Sequence, residues 1–185
     1  MNIHSLGNQF LVAMPGLGGG AFDRTVTFLC EHGDEGAMGL VINRPTDLDL
    51  RDMLGHMGIE HESLTNPITV YWGGPVQPER GFVLHWPSGS WESTLTINNQ
   101  LSITTSKDIL EAIGRGEGPE CYLVMLGYAG WGGGQLEAEM RGNAWLNTPV
   151  DTGIVFATPT MERWGAATRL LGVDPSKLTG HAGHA

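Results

Sequence analysis

"CYLVMLGYAGWGGGQLEAEM", residues 121–140, is the stretch on which the reading of the fold turns. Its first six residues are an unbroken apolar run, the pattern of a strand buried on both faces. Five of the next eight, from Gly127 to Gly134, are glycines. Helix formers follow over 135–141, with Glu137 and Arg141 spaced i,i+4 for an ion pair. The expectation is a strand over 121–126, a loop over 127–134 and a helix beyond. Such a loop has two readings. Backbone amides at a helix start can cradle an anion. Alternatively, the glycines let Trp131 and the helix pack closely on a sheet. The loop contains no lysine or arginine and no G-K-[ST], so packing is the favoured reading.

Upstream of this stretch the chain is rich in strands. Residues 9–14, 25–32 and 37–45 read as the first three, with "GDEG" at 33–36 as the turn of a hairpin. Residues 48–57 suit a short helix. Leu50, Met53, Leu54 and Met57 share one face, and Asp47 or Asp49 is placed to cap it. Strands follow at 68–72, 80–86, 92–97 and 101–105. "TSKDILEAIGRG" then reads as a helix with Ile109, Leu110 and Ile113 as its buried stripe. Thr105 with Asp108 resembles a capping box, and Ser106 is a capping residue rather than a nucleophile.

Downstream, "GIVFAT" at 153–158 reads as a strand. Residues 160–171 read as a helix with Met161, Trp164, Thr168 and Leu171 inward and Gly172 as its C-cap. The count is about eight strands and three or four helices. The first half lacks crossover helices, so a doubly wound sheet fits poorly. The fold class is α+β, a mixed sheet, curled or barrel-like, with helices packed against it.

The chain has 185 residues, near the length of one domain, and no linker divides it. Glycines number 28, roughly twice the ordinary share. The net charge is −10, and Lys107 and Lys177 are the only lysines. That balance argues against non-specific binding to nucleic acid or to anionic membrane, since both require cations against phosphate. No apolar run reaches the roughly 20 residues of a membrane span. Neither a signal peptide nor a CxxC pair is apparent, so Cys30 and Cys121 read as reduced thiols in a cytoplasmic protein.

Several motifs carry chemistry elsewhere and do not carry it here. Gly16, Gly18 and Ala21 match G-x-G-x-x-A, but the turn leads into a strand, whereas a dinucleotide site needs a helix there. No cofactor is expected. Cys30 and His32 are two apart on a strand and so would share a face, with His85 as a third ligand of a conceivable metal site. Nothing requires that site, and no metal and no catalytic residue is assigned. Glu137 and Glu139 read as solvated helix carboxylates.

Long segments in a fixed order resemble the AlgH/YqgE family of bacterial proteins: "AMPGL", "FLCEHGDEGAMGLVINRP", "VYWGGPVQPERGFVLH", "TTSKDILEAI", "GYAGWGGGQLEAE", "NAWL" and the terminal "GHA". The likeness spans the whole chain and departs at "GLGGGAF". It implies one α+β domain over 1–185 whose bifurcated sheet curls into a pseudo-barrel. It supplies no catalytic residues. The family name carries a link to transcriptional regulation of alginate production.

The densest polar and aromatic residues at rigid turns form the candidate surface. It comprises Asn43 and Arg44, then Gly73, Gly74, Gln77 and Arg80 of the Gly73–Arg80 connection, then Trp131, Gly132 and Gln135. The leading expectation is a non-enzymatic protein that binds a protein partner or a small ligand there. The alternatives are an enzyme acting on a phosphorylated or anionic small molecule, and a DNA-binding regulator.

Overall fold

The structure is a computed structural model that describes residues 6–15, 20, 22–174 and 177. The Gly16, Gly18 and Ala21 motif and the terminal "GHA" fall on or among positions outside the described residues.

The expected hairpin is present. β2 (Val26–Gly33) and β3 (Gly36–Val41) pair antiparallel, with Gly33 opposite Gly36 and two residues turning between them. β1 (Gln9–Ala13) pairs with β2 on its other side. Then come β4 (Pro45–Asp49) and α1 (Leu50–His56), whose N-cap is Asp49, accepting from Arg51 N at 3.1 Å. β5 (Thr69–Trp72) and β6 (Val76–Trp86) lead to the short β7 (Thr94–Thr96) and β8 (Ser102–Thr104). α2 (Lys107–Gly114) buries Ile109, Leu110 and Ile113, as its periodicity predicts. Its N-cap is Ser106, not Thr105. The Ser106 hydroxyl donates to Asp108, 2.5 Å away, instead of accepting from the helix.

β9 (Cys121–Gly132) runs six residues beyond the expected strand, through most of the glycine-rich segment. The extension organises the molecule. The first half of β9 pairs antiparallel with β6 and parallel with β5; its last four residues pair with β3. The strand order is therefore β10-β1-β2-β3-β9-β6-β8-β7, with β4 and β5 branching from β9. This is the bifurcated, curled sheet of the α+β class. The branch lies at Gly127, where φ is +77°. A Cβ there would stand 2.3 Å from the Gly74 carbonyl oxygen, and one on Gly74 would stand 2.0 Å from the Tyr128 carbonyl carbon. Only glycine allows two backbones to cross so closely.

After β9 come α3 (Gln135–Arg141), β10 (Trp145–Pro149), α4 (Thr152–Phe156), a single 3-10 turn (Thr160–Glu162) and α5 (Arg163–Leu170). Two sequence expectations are overturned here. "GIVFAT" is not a strand: Asp151 caps it by accepting from Gly153 N at 2.8 Å, and the segment turns as α4. A short apolar run fits a buried helix turn as well as a strand. The strand of this region is β10, whose Pro149 is tolerated because the strand pairs only with β1. In the last helix Met161 is 86% exposed, while Arg163 and Ala167 are buried in its place.

The curled sheet buries apolar side chains on both faces. Phe10, Phe28, Leu40, Phe82, Leu84 and Met125 fill the curl against Ile154, Val155 and Ala167 of α4 and α5. α1 and α2 cover Val70, Val83 and Val124 on one flank. α3 covers Leu11, Leu29 and Ala129, with Trp131 edge-on to Trp145 at 5.8 Å. No helix among the described residues is long and apolar enough to cross a membrane.

Candidate functional site

The nine residues singled out in sequence do not converge on one cavity. Asn43, Arg44, Gly73 and Gly74 assemble at the branch of the sheet, where they act as staples. Buried Asn43 accepts from Val26 N at 2.8 Å and donates to Arg24 O at 3.0 Å. Arg44 donates from its guanidinium to the Asp23 carbonyl, and its own carbonyl accepts from Trp72 N at 2.8 Å. Gly73 bridges Val41 N and Leu126 O. The bonds of Asn43, Arg44 and Gly73 tie neighbouring segments of the fold together.

Gln77 and Arg80 do not sit at the tip of a loop. They lie within β6, in the bulged stretch where its register against β9 shifts between Val76 and Gly81. Gln77 has φ +46°, and the bulge accommodates Pro78, which could not donate to a regular ladder. Both side chains belong to exposed residues, and the Arg80 guanidinium lies 5.2 Å from the centre of the Phe82 ring. Arg80 lines a cleft of about 410 Å³ with Cys30, Glu31, Phe82 and Leu95.

Trp131, Gly132 and Gln135 form a third, separate group. Trp131 is buried under α3. Gly132 N donates to Oε1 of Gln135 at 3.0 Å, so a side chain of the protein already occupies that amide of the supposed cradle. α3 is only seven residues long and starts from Gly134 in the left-handed region.

The titratable groups have equally defined roles. β2 bulges between Leu29 and Glu31, so Cys30 has no partner opposite it. Cys30 and His32 therefore face opposite sides, contrary to the expectation from their spacing. Cys30 lies in the core of the curl, and burial pushes its thiol up, away from the reactive thiolate. The His32 side chain is 1% exposed. Its Nδ1 accepts from Leu6 N at 3.0 Å, so Nε2 carries the proton that it donates to Glu137, 2.5 Å away. Glu137 lies below the usual carboxylate range because its own amide and then His32 stabilise the anion. Glu139 accepts from Trp145 Nε1 at 3.1 Å. Neither acid is merely solvated, and both fix α3 to the sheet.

His85 is fully buried, away from Cys30 and His32. It donates from Nδ1 to Pro87 O at 3.0 Å, which leaves Nε2 to accept from the Thr104 hydroxyl at 2.8 Å. Burial depresses its pKa and keeps the ring neutral. Among the described residues no three His, Cys, Asp or Glu side chains are grouped to hold a metal.

The cavity with the composition of a binding site was not singled out in the sequence. It is a half-open groove of about 500 Å³ between α1, α2 and the bulged part of β6. Leu48, Met53, Met57, Leu110 and Leu126 make its apolar wall, and Glu79, Thr105 and Lys107 are polar groups on it. Leu50 and Leu54 take the inner face of α1, leaving Met53 half-buried and Met57 41% exposed. No local signal in the sequence marks this groove, because it forms between elements that are far apart in the chain.

Comparison with known proteins bears on this geometry. Residues 10–176 match the model of a family described as AlgH-like. The chain is 56% identical over 178 residues to a UPF0301 protein of Thioalkalivibrio sulfidiphilus, covering 96% of each chain. It is 52% identical over 180 residues to one of Methylococcus capsulatus, covering 97% of this chain and 96% of that one. The solution structure of the AlgH protein from Pseudomonas aeruginosa superposes with a TM-score of 0.79 at 48% identity, over 100% of this chain and 98% of that one. A crystal structure from Corynebacterium diphtheriae shares the fold at 20% identity, with a TM-score of 0.71 over 88% and 85% of the two chains. None of these descriptions carries an established biochemical function. On sequence and structure alike, the chain belongs to the AlgH-like family.

Proposed function

We propose that the protein is a non-catalytic, cytoplasmic binding protein whose site is the groove between α1, α2 and β6. One observation carries this reading: a half-open cavity of about 500 Å³ has an apolar wall and a few polar groups at its rim. That is the size and composition of a small-ligand pocket. Two methionines in the wall favour adaptable contact, because their unbranched side chains repack around different shapes. The sequence-derived surface enters this reading only at its edge, through Glu79 and Gly81, the neighbours of Arg80. Any regulatory role would be exerted through the bound ligand. The acidic chain offers no extended cationic surface for DNA, with a net charge of −10.

The test is a screen of a metabolite and fragment collection by ligand-observed NMR, run on the wild type and on Met57→Glu. Met57 is exposed enough for the variant to fold. The expected result is a set of saturable binders lost on Met57→Glu. A screen without binders, or binders indifferent to this substitution, would refute the assignment.

A further inference from the structure

Granting the groove as the binding site, its charge pattern narrows the ligand. Lys107, one of the two lysines of the chain, lies where the groove adjoins a smaller cleft of about 150 Å³. It makes no ion pair among the described residues, although Glu111 stands one helical turn away. Arg115, the other cation of that cleft, is engaged by Glu117 at 3.1 Å. The chain carries twenty acids against ten bases, so an unpaired ammonium at the mouth of an apolar cavity stands out electrostatically. Glu79 is the carboxylate on the groove itself. Its charge opposes a second negative charge on a ligand, which favours one with a single anionic group. The aliphatic wall of Leu48, Met53, Met57, Leu110 and Leu126 suits a flexible hydrocarbon body.

We infer that the groove binds a free, single-chain monocarboxylate of fatty-acid type, with its alkyl chain against Met53, Met57 and Leu110 and its carboxylate on Lys107. The volume falls within the range of small-ligand sites, roughly 300–1,000 Å³. A protein partner needs a far larger contact, about 800 Å² from each side.

Three ten-carbon probes kept below micelle formation separate charge from chain: decanoate, decanol and decyltrimethylammonium. Each is titrated into 15N-labelled wild type, Lys107→Met and Met57→Glu. The expected result is one-to-one decanoate binding with shifts at Met53, Met57 and Leu110. Lys107→Met should weaken decanoate about tenfold, the size of one charge-assisted contact, and leave decanol unchanged. Met57→Glu should weaken both. If the ammonium probe binds as tightly as decanoate, or Lys107→Met leaves decanoate unaffected, the carboxylate assignment falls. In that case continued sensitivity to Met57→Glu would keep the groove as the site. If no probe binds, or none responds to Met57→Glu, the groove reading falls with it.

Discussion

Two glycines of one run, five residues apart, should respond very differently to the same added methyl. In Gly127→Ala the new Cβ would stand 2.3 Å from the Gly74 carbonyl oxygen, on a residue with φ +77°. Holding a non-glycine residue in the left-handed region costs about 1–2 kcal/mol. The β5–β6 connection would also have to withdraw by more than half an ångström, and backbone shifts forced by overpacking cost about 1–3 kcal/mol. Together these give a loss of about 2–5 kcal/mol. At about 2–4 °C per kcal/mol for a chain of this length, the melting temperature should fall by roughly 4–20 °C. In Gly132→Ala the Cβ would meet nothing nearer than Gln135 Oε1 at 3.9 Å, and φ there is not left-handed. That variant should lie within about 0.5 kcal/mol of wild type, because the unfolded chain loses entropy and no native contact is disturbed. Urea unfolding followed by tryptophan fluorescence, with calorimetry as a second probe, measures both. Equal effects at the two positions, or a loss below about 1 kcal/mol at Gly127, would refute the close crossing as the reason for glycine.

Arg163 is 5% exposed and forms no ion pair among the described residues. Its guanidinium donates to Ile42 O and Thr158 O and lies 5.2 Å from the centre of the Tyr71 ring. Arg163→Ala leaves two carbonyls without donors, at about 1–3 kcal/mol each. A loss of about 3 kcal/mol in urea unfolding is expected, and a value under 1 kcal/mol would show that the carbonyls find other donors. His85 should make stability fall in mild acid. Its folded pKa is depressed by burial, so above the ordinary histidine value, about 6.5, both states are neutral and the contribution is complete. As pH drops below that value the unfolded chain takes up a proton that the folded chain resists, and stability declines until the folded ring also titrates. The decline in unfolding free energy from pH 7.5 to 5 should be smaller in His85→Gln than in wild type. Equal slopes would contradict this.

What the sequence by itself determined was local. Alternation and turn chemistry placed the β2–β3 hairpin. The stripe of Ile109, Leu110 and Ile113 placed α2, and Asp49 capped α1 from a position visible in the chain. These features depend on neighbours within a few residues, where periodicity and side-chain chemistry act directly. Tertiary structure decided whatever depended on distant partners. β9 runs on through its glycines because β3 waits to pair with residues 129–132, and Gly127 lets the strand cross Gly74 at that branch. A bulge without any local marker turned Cys30 and His32 to opposite faces. "GIVFAT" became a helix turn under the curl of the sheet. The groove between Met57 and Lys107 comes from the packing of two helices that are far apart in sequence. A residue's own neighbours cannot encode which of two apolar faces remains uncovered; only the assembled packing does.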